Sequence, residues 1–380
     1  MKKIVFLSGT RADYGKLKSL MRKIDEHKDF ELHIFVTGMH LLSTYGSTYK
    51  EVEKDGFKNI YKYINQKTNE KMDIALSNTI LGFSNYVSEI KPDMIVVHGD
   101  RIEALAGALV GALNNIKLAH IEGGEVSGTI DESTRHAITK FAHLHFVANE
   151  EARNRIMQLA EKEASIFIIG SPDIDIMLNK NLPNLESVKK HYEIDFKNYA
   201  LFMYHPVTTE VNQLQQHIKE VVDGLLKSDR NYVVIYPNND EGSQIIINEF
   251  KRLQDDVRFK IFPSIRFESF LTLLKNCDFV IGNSSAGVRE TSVYGIPTID
   301  IGNRQQGRYD MNRASNIIHT DNNAGEILKA VDDISIMRLT AQTQFGEGKS
   351  DEKFIQILER IEIWSNSYQK KFVDILGPKD

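Results

Sequence analysis

Residues 94–125 read MIVVHGDRIEALAGALVGALNNIKLAHIEGGE, and the order of patterns within them decides the fold class. Residues 94–97 are a short, wholly apolar run that stops at His-Gly-Asp-Arg. Leu105, Leu109 and Leu113 then recur on one helix face, and residues 117–121 form a second strand-like run that stops at Glu-Gly-Gly-Glu. Short runs of this kind are what strands buried in a parallel sheet look like. Charged groups follow both, and open α/β sheets hold their ligands beyond the C-terminal ends of the strands. Residues 98–136, dense in carboxylates, imidazoles and arginines, are therefore a candidate site.

The same alternation extends outward. Upstream, residues 4–7 make a strand ending in Ser-Gly-Thr-Arg, and Leu17, Leu20, Met21 and Ile24 mark a helix. Residues 32–37 are a strand closed by Gly38, and Ile80, Phe83, Val87 and Ile90 give a helix that Pro92 stops. Downstream, residues 144–148 form a further strand. The polar stretch 171–198, with Pro172 and Pro183, breaks the rhythm; a second series follows, with strands over 200–204, 232–236, 259–262, 278–282 and 298–301. A short helix over 321–333 and one or two helices over 354–376 complete the pattern. Strands alternating with helices predict the α/β class, as two Rossmann-like, doubly wound domains facing a cleft. We expect the first over 1–172, the second over 173–360, and a terminal helix over 361–380 packing back on the first domain.

The 380 residues are enough for two such domains, each with its own core. Hydrophobic content of 41% and charged content of 26% are ordinary for a soluble enzyme. A net charge of −5 argues against a nucleic-acid partner, although clustered arginines can still hold a small anion. The one cysteine, Cys277, excludes an internal disulfide framework and, in its apolar stretch, reads as a small buried hydrophobe. The run at 4–7 is too short for a secretory leader, and 104–113 is about half of a membrane span. We therefore expect a cytoplasmic protein with no membrane partner.

Most candidate site residues also have an ordinary structural reading. Residues 8–15, Ser-Gly-Thr-Arg-Ala-Asp-Tyr-Gly, enter a helix from a strand, where the backbone can approach a phosphate and the helix N-terminus favours an anion. Arg11 could instead be a solvated turn residue, and the motif is not the dinucleotide fingerprint Gly-x-Gly-x-x-Gly. Asp100 reads as an acid or base and Arg101 as an anion clamp, or Asp100 merely caps the next helix. Asp131, ahead of Glu132-Ser133-Thr134, reads locally as a cap. Glu122 has no such alternative, since a carboxylate at a buried strand end is costly unless paired or functional. His98, His120, Glu122, Asp131 and His136 carry metal-ligand atoms, but their spacing fits no zinc pattern, and we expect no metal.

In the second half, His205 directly follows a strand, a weak sign because a lone histidine is more often structural. Tyr-Pro-Asn-Asn-Asp at 236–240 offers Asn238 to a base or ribose. The sharpest signal is GNSSAGVRE at 282–290, where Ser284 and Ser285 enter a helix from a strand and donors converge as a phosphate requires. Glu290 can accept two ribose hydroxyls, and Arg304 and Arg308 lie beyond the next strand.

Together these motifs resemble the hydrolysing UDP-N-acetylglucosamine 2-epimerases of sialic acid synthesis, especially the stand-alone bacterial form, over residues 1 to about 370. The match runs in order through Gly-Thr-Arg-Ala-Asp-Tyr-Gly-Lys-Leu, Val-Thr-Gly-Met-His-Leu, His-Gly-Asp-Arg-x-Glu-Ala-Leu-Ala-Gly and His-Ile-Glu-Gly-Gly-Glu-x-Ser-Gly-Thr. Arg-His, Tyr-Pro-Asn-Asn-Asp, Gly-Asn-Ser-Ser-Ala-Gly and Arg-Gln continue it. The resemblance implies a GT-B-like pair of Rossmann domains that closes around a UDP-sugar, needs no cofactor and forms a homo-oligomer, a dimer or tetramer. It implies UDP contacts from Arg11, Arg101, His205, Asn238, Ser284, Ser285, Glu290 and Arg304, with His205 also aiding catalysis. Asp100, Glu122 and Asp131 match acid/base carboxylates, which moves Asp131 from cap to catalyst, and His40 is expected near the sugar. Animal relatives carry a fused sugar kinase and a feedback site; we expect no kinase here and do not carry the feedback site over. Gly15 stands where the animal forms have serine, removing one phosphate donor.

The implied chemistry splits UDP-N-acetylglucosamine into UDP and N-acetylmannosamine. The C2 proton has no adjacent carbonyl, so loss of UDP must assist its removal, giving 2-acetamidoglucal. Water then adds at C1 while C2 is reprotonated from the opposite face, so at least two acid/base groups are needed. A UDP-diacetamido-trideoxy sugar, as in legionaminic acid synthesis, would use the same motifs and differ only around C4 and C6. A non-hydrolysing epimerase fits the Gly-Gly-Glu and His-Gly-Asp-Arg variants less well. A GT-B glycosyltransferase or a silent UDP-sugar sensor would not need the full carboxylate set.

Overall fold

The computed structural model describes residues 1–127, 130–179, 181–307, 316–334, 339–342, 345–365, 367 and 369–374. Seven strands, β1 (Lys2–Ser8), β2 (Phe30–Val36), β3 (Ile60–Lys62), β4 (Met94–His98), β5 (Lys117–Ile121), β6 (Leu144–Val147) and β7 (Ile166–Ile168), form one sheet. Its spatial order is β3-β2-β1-β4-β5-β6-β7. A second sheet takes β8 (Ala200–Met203), β9 (Tyr232–Ile235), β10 (Phe259–Phe262), β11 (Val280–Gly282), β12 (Thr298–Ile301) and β13 (Ile317–Thr320), in the order β10-β9-β8-β11-β12-β13. Every ladder between these strands is parallel. These are the two Rossmann-like domains of a GT-B-like fold.

Burial on both faces explains why the strands read as continuous apolar runs. In β1, Ile4 and Phe6 enter the core on one side of the sheet, and Val5 and Leu7 enter the core on the other. In β8, Phe202 and Leu201 divide between two cores in the same way. The strands that the sequence reading omits, β3, β7 and β13, are all at sheet edges and only three or four residues long. Such edge segments are only partly buried, so they carry no continuous apolar run. Cys277 is buried, and burial pushes its thiol up and keeps it protonated. No helix of the described residues is long and apolar enough to cross a membrane.

The chain passes between the domains twice, and the two crossings touch. Ser171 N–H donates to the Phe345 carbonyl at 2.7 Å. Gly170 (φ +90°) lies against Gly346, where a Cβ on Gly170 would be 3.3 Å from the Gly346 Cα. After the first crossing, the helices Pro172–Met177 and Leu185–His191 pack into the second domain through Ile174, Met177 and Val188. After the second, the helices Ser350–Leu358 and Ile361–Ser365 bury Phe354, Ile357, Leu358 and Ile363 in the first domain's core. That core is thus already joined ahead of residue 361. Residues 370–374 are not helical, and residues 375–376 lie outside the described residues.

Strand order reverses beside β1 in one sheet and beside β8 in the other. A crevice forms at each such switch point, at the C-terminal ends of the strands. Those ends, after Ser8 and His98 and after Met203 and Gly282, carry the candidate residues.

Candidate active site

A cavity of about 750 Å³ lies between the two switch points, a size in the range of small-molecule sites. The first domain lines it with Arg11 from the helix after β1, Asp100 and Arg101 after β4, Glu122 after β5 and Asp131 from the helix Ile130–Phe141. The second lines it with His205 after β8, Asn238 after β9, Ser284, Ser285 and Glu290 after β11, and Arg304 after β12. Eleven candidates separated by up to about 290 residues of chain thus share one wall-to-wall space, because parallel strands all deliver their C-terminal ends to the same side.

One part of this space is rich in donors. Thr10 caps the helix Arg11–Asp25 by accepting from Asp13 N–H at 3.1 Å, and Arg11 begins its first turn. The Nε and Nη1 atoms of Arg11 are buried without a hydrogen-bond partner, and burial pushes its guanidinium pKa down, opposed by Glu51. An unpartnered buried cation at a helix N-terminus is matched by an anion. Across the cavity, Asn283 locks the strand ends together: its side chain accepts from His205 N–H at 2.7 Å and donates to the His205 carbonyl at 2.9 Å. Asn238 N–H donates to His205 Nδ1 at 3.1 Å. Burial, then Arg304 and Arg101, holds the imidazole pKa well below its ordinary value. His205 is therefore neutral, with its proton on Nε2, because Nδ1 is the acceptor. Arg304 is held by the Asn283 carbonyl at 3.2 Å, and the Oδ1 of Asn238 and Oε2 of Glu290 are buried without hydrogen-bond partners.

The carboxylates form the rest. Glu122 adopts φ +62° and is 4% exposed, and its N–H donates to the Phe146 carbonyl at 2.9 Å. Its Oε2 and Oε1 accept from Arg289 Nη1 and Nη2, both at 2.8 Å, and Ser171 Oγ donates to Oε1. His98 Nε2 lies 3.1 Å from Oε2, a close charge contact beside these three hydrogen bonds. Burial alone would raise the Glu122 pKa; Arg289, Lys16 and His98 instead hold it well below the usual carboxylate range. Asp100 is paired with the buried Arg135, which also donates to the Glu125 carbonyl at 3.0 Å. Asp131 is in the first turn of its helix, with Arg304 4.0 Å away. Asp131 is thus inside the helix rather than the residue ahead of it, and it lines the cavity.

His40 is the exception. It is 0% exposed behind the cavity wall, with Nε2 3.0 Å from Ser8 Oγ and Nδ1 2.8 Å from Thr48 Oγ1. Burial lowers its pKa to about 4, so it is a neutral imidazole spent on two hydroxyls, not a residue facing a sugar. Gly15 has a steric reason of its own: a Cβ there would lie 2.5 Å from the Phe267 ring of the other domain. Arg308 lies outside the described residues.

Sequence reasoning missed the groups that hold the carboxylates. Lys16 Nζ lies 3.2 Å from Asp173 and 3.4 Å from Glu290, and so engages one oxygen of the residue expected to hold ribose. Asp240 lines the cavity and is pushed up by burial despite Arg101. Arg289 stands inside the quoted 282–290 motif, and His98 was weighed only as a metal ligand. Local pattern carries no sign of these roles, because each depends on a partner far away in the chain. Among the described residues, no three side chains are grouped to hold a metal ion.

Comparison with known proteins bears on the same site. The family model described as UDP-N-acetylglucosamine 2-epimerase matches residues 22–359. The chain is 47% identical over 379 residues to the UDP-N-acetylglucosamine 2-epimerase of Neisseria meningitidis serogroup B, covering 99% of this chain and 100% of that one. It is 32% identical to the UDP-N,N'-diacetylbacillosamine 2-epimerase (hydrolyzing) of Legionella pneumophila, over 97% of this chain and 99% of the relative. The crystal structure of Methanocaldococcus jannaschii UDP-GlcNAc 2-epimerase in complex with UDP-GlcNAc and UDP superposes with a TM-score of 0.78 at 23% identity, covering 94% and 99% of the two chains, and so shares the fold. A family match across most of the chain, with a relative aligned end to end, leaves one conclusion: this protein belongs to the UDP-N-acetylglucosamine 2-epimerase family.

Proposed function

We propose that the protein is a hydrolysing 2-epimerase that converts UDP-N-acetylglucosamine and water to N-acetylmannosamine and UDP, as a first step towards sialic acid. The observation that carries this reading is the division of one cavity between the buried, unpartnered donor atoms of Arg11, with further arginines around them, and a set of carboxylates. The neisserial relative at 47% identity supports the substrate, and the Legionella relative's name supports hydrolysis as a family chemistry.

The bound diphosphate faces Arg11, the neutral His205 and the hydroxyls of Ser284 and Ser285, while Arg101, Arg304, Asn238 and Glu290 hold the remainder of UDP. As the C1–O bond breaks, negative charge gathers on the diphosphate, and preorganised donors stabilise it without waiting for solvent to reorient. The C2 proton passes to a carboxylate of the first domain, leaving UDP and 2-acetamidoglucal. Water then supplies hydroxide to C1, and a proton returns to C2 on the opposite face. Asp100 and Asp131 are carboxylates that reach the cavity. Glu122 acts with the His98 imidazolium beside it, since its own oxygens are engaged. No step moves electrons to or from a cofactor.

Incubation with UDP-N-acetylglucosamine in deuterated water, followed by proton NMR, tests this reading. Free N-acetylmannosamine deuterated at C2, with UDP, is the expected result. UDP-N-acetylmannosamine would mean a non-hydrolysing epimerase, and tight binding without turnover would mean a sensor. The Legionella likeness gives a second reading, a UDP-diacetamido-trideoxy sugar as substrate. It takes over if that sugar is turned over and UDP-N-acetylglucosamine is not.

A further inference from the structure

Glu122 is a carboxylate of the cavity gripped from both sides of the cleft. His98 reaches it from the first domain, with Asp13 behind His98 at 2.8 Å, the charge of Lys16 acting on it through space and the neutral His120 nearby. Arg289 reaches it from the second domain as a two-pronged fork, both prongs at 2.8 Å. Ser171 reaches it from the first interdomain crossing, donating to Glu122 and accepting from Arg289 Nη2 at 2.6 Å. Arg289 also lies over the ring of Phe345, on the return crossing, 5.0 Å from its centroid. Glu125, Asp173 and Glu290 are the other charges facing this cluster, and Asp173 and Glu290 are already engaged by Lys16. The loop that carries Glu122 is packed closely on its own domain, where a Cβ on Gly124 would lie 2.3 Å from the Ala152 carbonyl, whereas Arg289 belongs to the other domain. Arg289 and the two crossings are therefore the parts of this contact that domain movement can change.

We propose that Arg289 is a positioning residue that couples domain closure to Glu122, so that this carboxylate is charged and aimed only while the second domain is docked. This rests on the proposed role of Glu122 in epimerisation. The physical cause is plain: a buried carboxylate keeps its charge only when paired, and the fork supplies charge and direction together. With the domains apart, Glu122 loses the fork and keeps only His98 and Lys16. The proton-transfer site is then complete only when the cleft is closed around the sugar.

Arg289→Gln and Arg289→Lys test this in the full chain with two readouts. One is the titration of the Glu122 carboxyl by carbon-13 NMR on glutamate-labelled protein, its signal assigned by loss in Glu122→Gln. The other is the pH dependence of kcat for N-acetylmannosamine release. In Arg289→Gln the carboxyl midpoint and the acid limb of kcat should rise together, by about one to three pH units. At pH 6, kcat should fall more than KM changes. Lysine restores charge without the fork, so Arg289→Lys should give a smaller rise in both. A midpoint and limb unmoved in both variants overturn the proposal, even if kcat falls. If Arg289→Gln does not stay folded, Arg289→Lys decides in the same way. If the wild-type protein releases no N-acetylmannosamine, the proposed function fails and the carboxyl titration alone judges the coupling. If product is released but the midpoint does not move, the coupling fails and the function stands.

Discussion

His98 Nδ1 lies 2.8 Å from Asp13 Oδ1, which joins the end of β4 to the first turn of the helix after β1 inside the cavity wall. Burial alone would discharge this imidazole, but Glu122 and then Asp13 push its pKa up to about 9. A raised pKa means that the charged form is the one the fold stabilises. That stabilisation is full below the ordinary histidine pKa near 6.5 and fades as pH rises through about 9. Asp13→Asn removes one of its causes, so the alkaline limb of kcat should move down by about one unit. Thermal melts of the two proteins should differ most near pH 6 and converge above pH 9. Identical alkaline limbs in wild type and variant would remove Asp13 from the control of His98.

Asp100 and Asp131 differ in what holds them, and the difference predicts how each fails. Asp100 is paired with Arg135, which is almost wholly buried, whereas Asp131 has Arg304 at the edge of contact, 4.0 Å away. Asp100→Asn and Asp131→Asn keep the shape and one acceptor oxygen but remove the basic group. Each should cost about 10²- to 10⁴-fold in kcat with UDP affinity little changed. Asp100→Asn should also lower the melting temperature, because Arg135 loses its charged partner. An amide variant with near-normal turnover removes that residue from the proton-transfer set.

The distinction between legible and illegible parts of the molecule follows the range of the interactions. The strand at 117–121 could be read to the residue, because burial on both faces of a sheet writes an apolar run that needs no partner to recognise. Asp100, Glu122, His205 and Ser284 could be located because they follow such runs, and strand ends are where ligands gather. The Arg289–Glu122 fork could not, because it joins residues 167 apart and its arginine looks locally like any solvated helix residue. His40 misled in the opposite sense. Its motif suggested a sugar contact, but the residues around it fold it inward onto Ser8 and Thr48. The edge strands β3 and β13 escaped because a partly exposed edge does not require the continuous apolar run that marks a buried strand.

The neutral state of His205 fixes what it can offer a diphosphate. With Nδ1 occupied by Asn238 N–H, the imidazole presents one N–H and no charge. A hydrogen bond to a charged acceptor is worth about 1.5–3 kcal/mol, so His205→Ala should weaken UDP binding about 10- to 100-fold by calorimetry. His205→Gln returns a donor and should recover part of that loss. Unchanged UDP affinity and turnover in His205→Ala would exclude the contact.

Gly15 should separate stability from activity. It lies within the helix Arg11–Asp25, where alanine is favoured over glycine by about 0.5–1 kcal/mol. Within one domain, then, Gly15→Ala should be neutral or stabilising. Across the cleft it meets Phe267, whose ring Cγ would be 2.5 Å from the new methyl group, well inside van der Waals contact. The domains must then stay further apart, which moves Arg289 away from Glu122 and the second-domain donors away from Arg11. The expected outcome is a melting temperature at or above that of the wild type, a larger radius of gyration with UDP bound, and a kcat reduced about tenfold or more. Phe267→Ala on the same chain makes room for the methyl group and should restore part of the lost turnover. If Gly15→Ala is as active as the wild type, the close approach of the two helices is not needed for turnover, and a serine at this position in animal relatives would have to be explained by its hydroxyl alone.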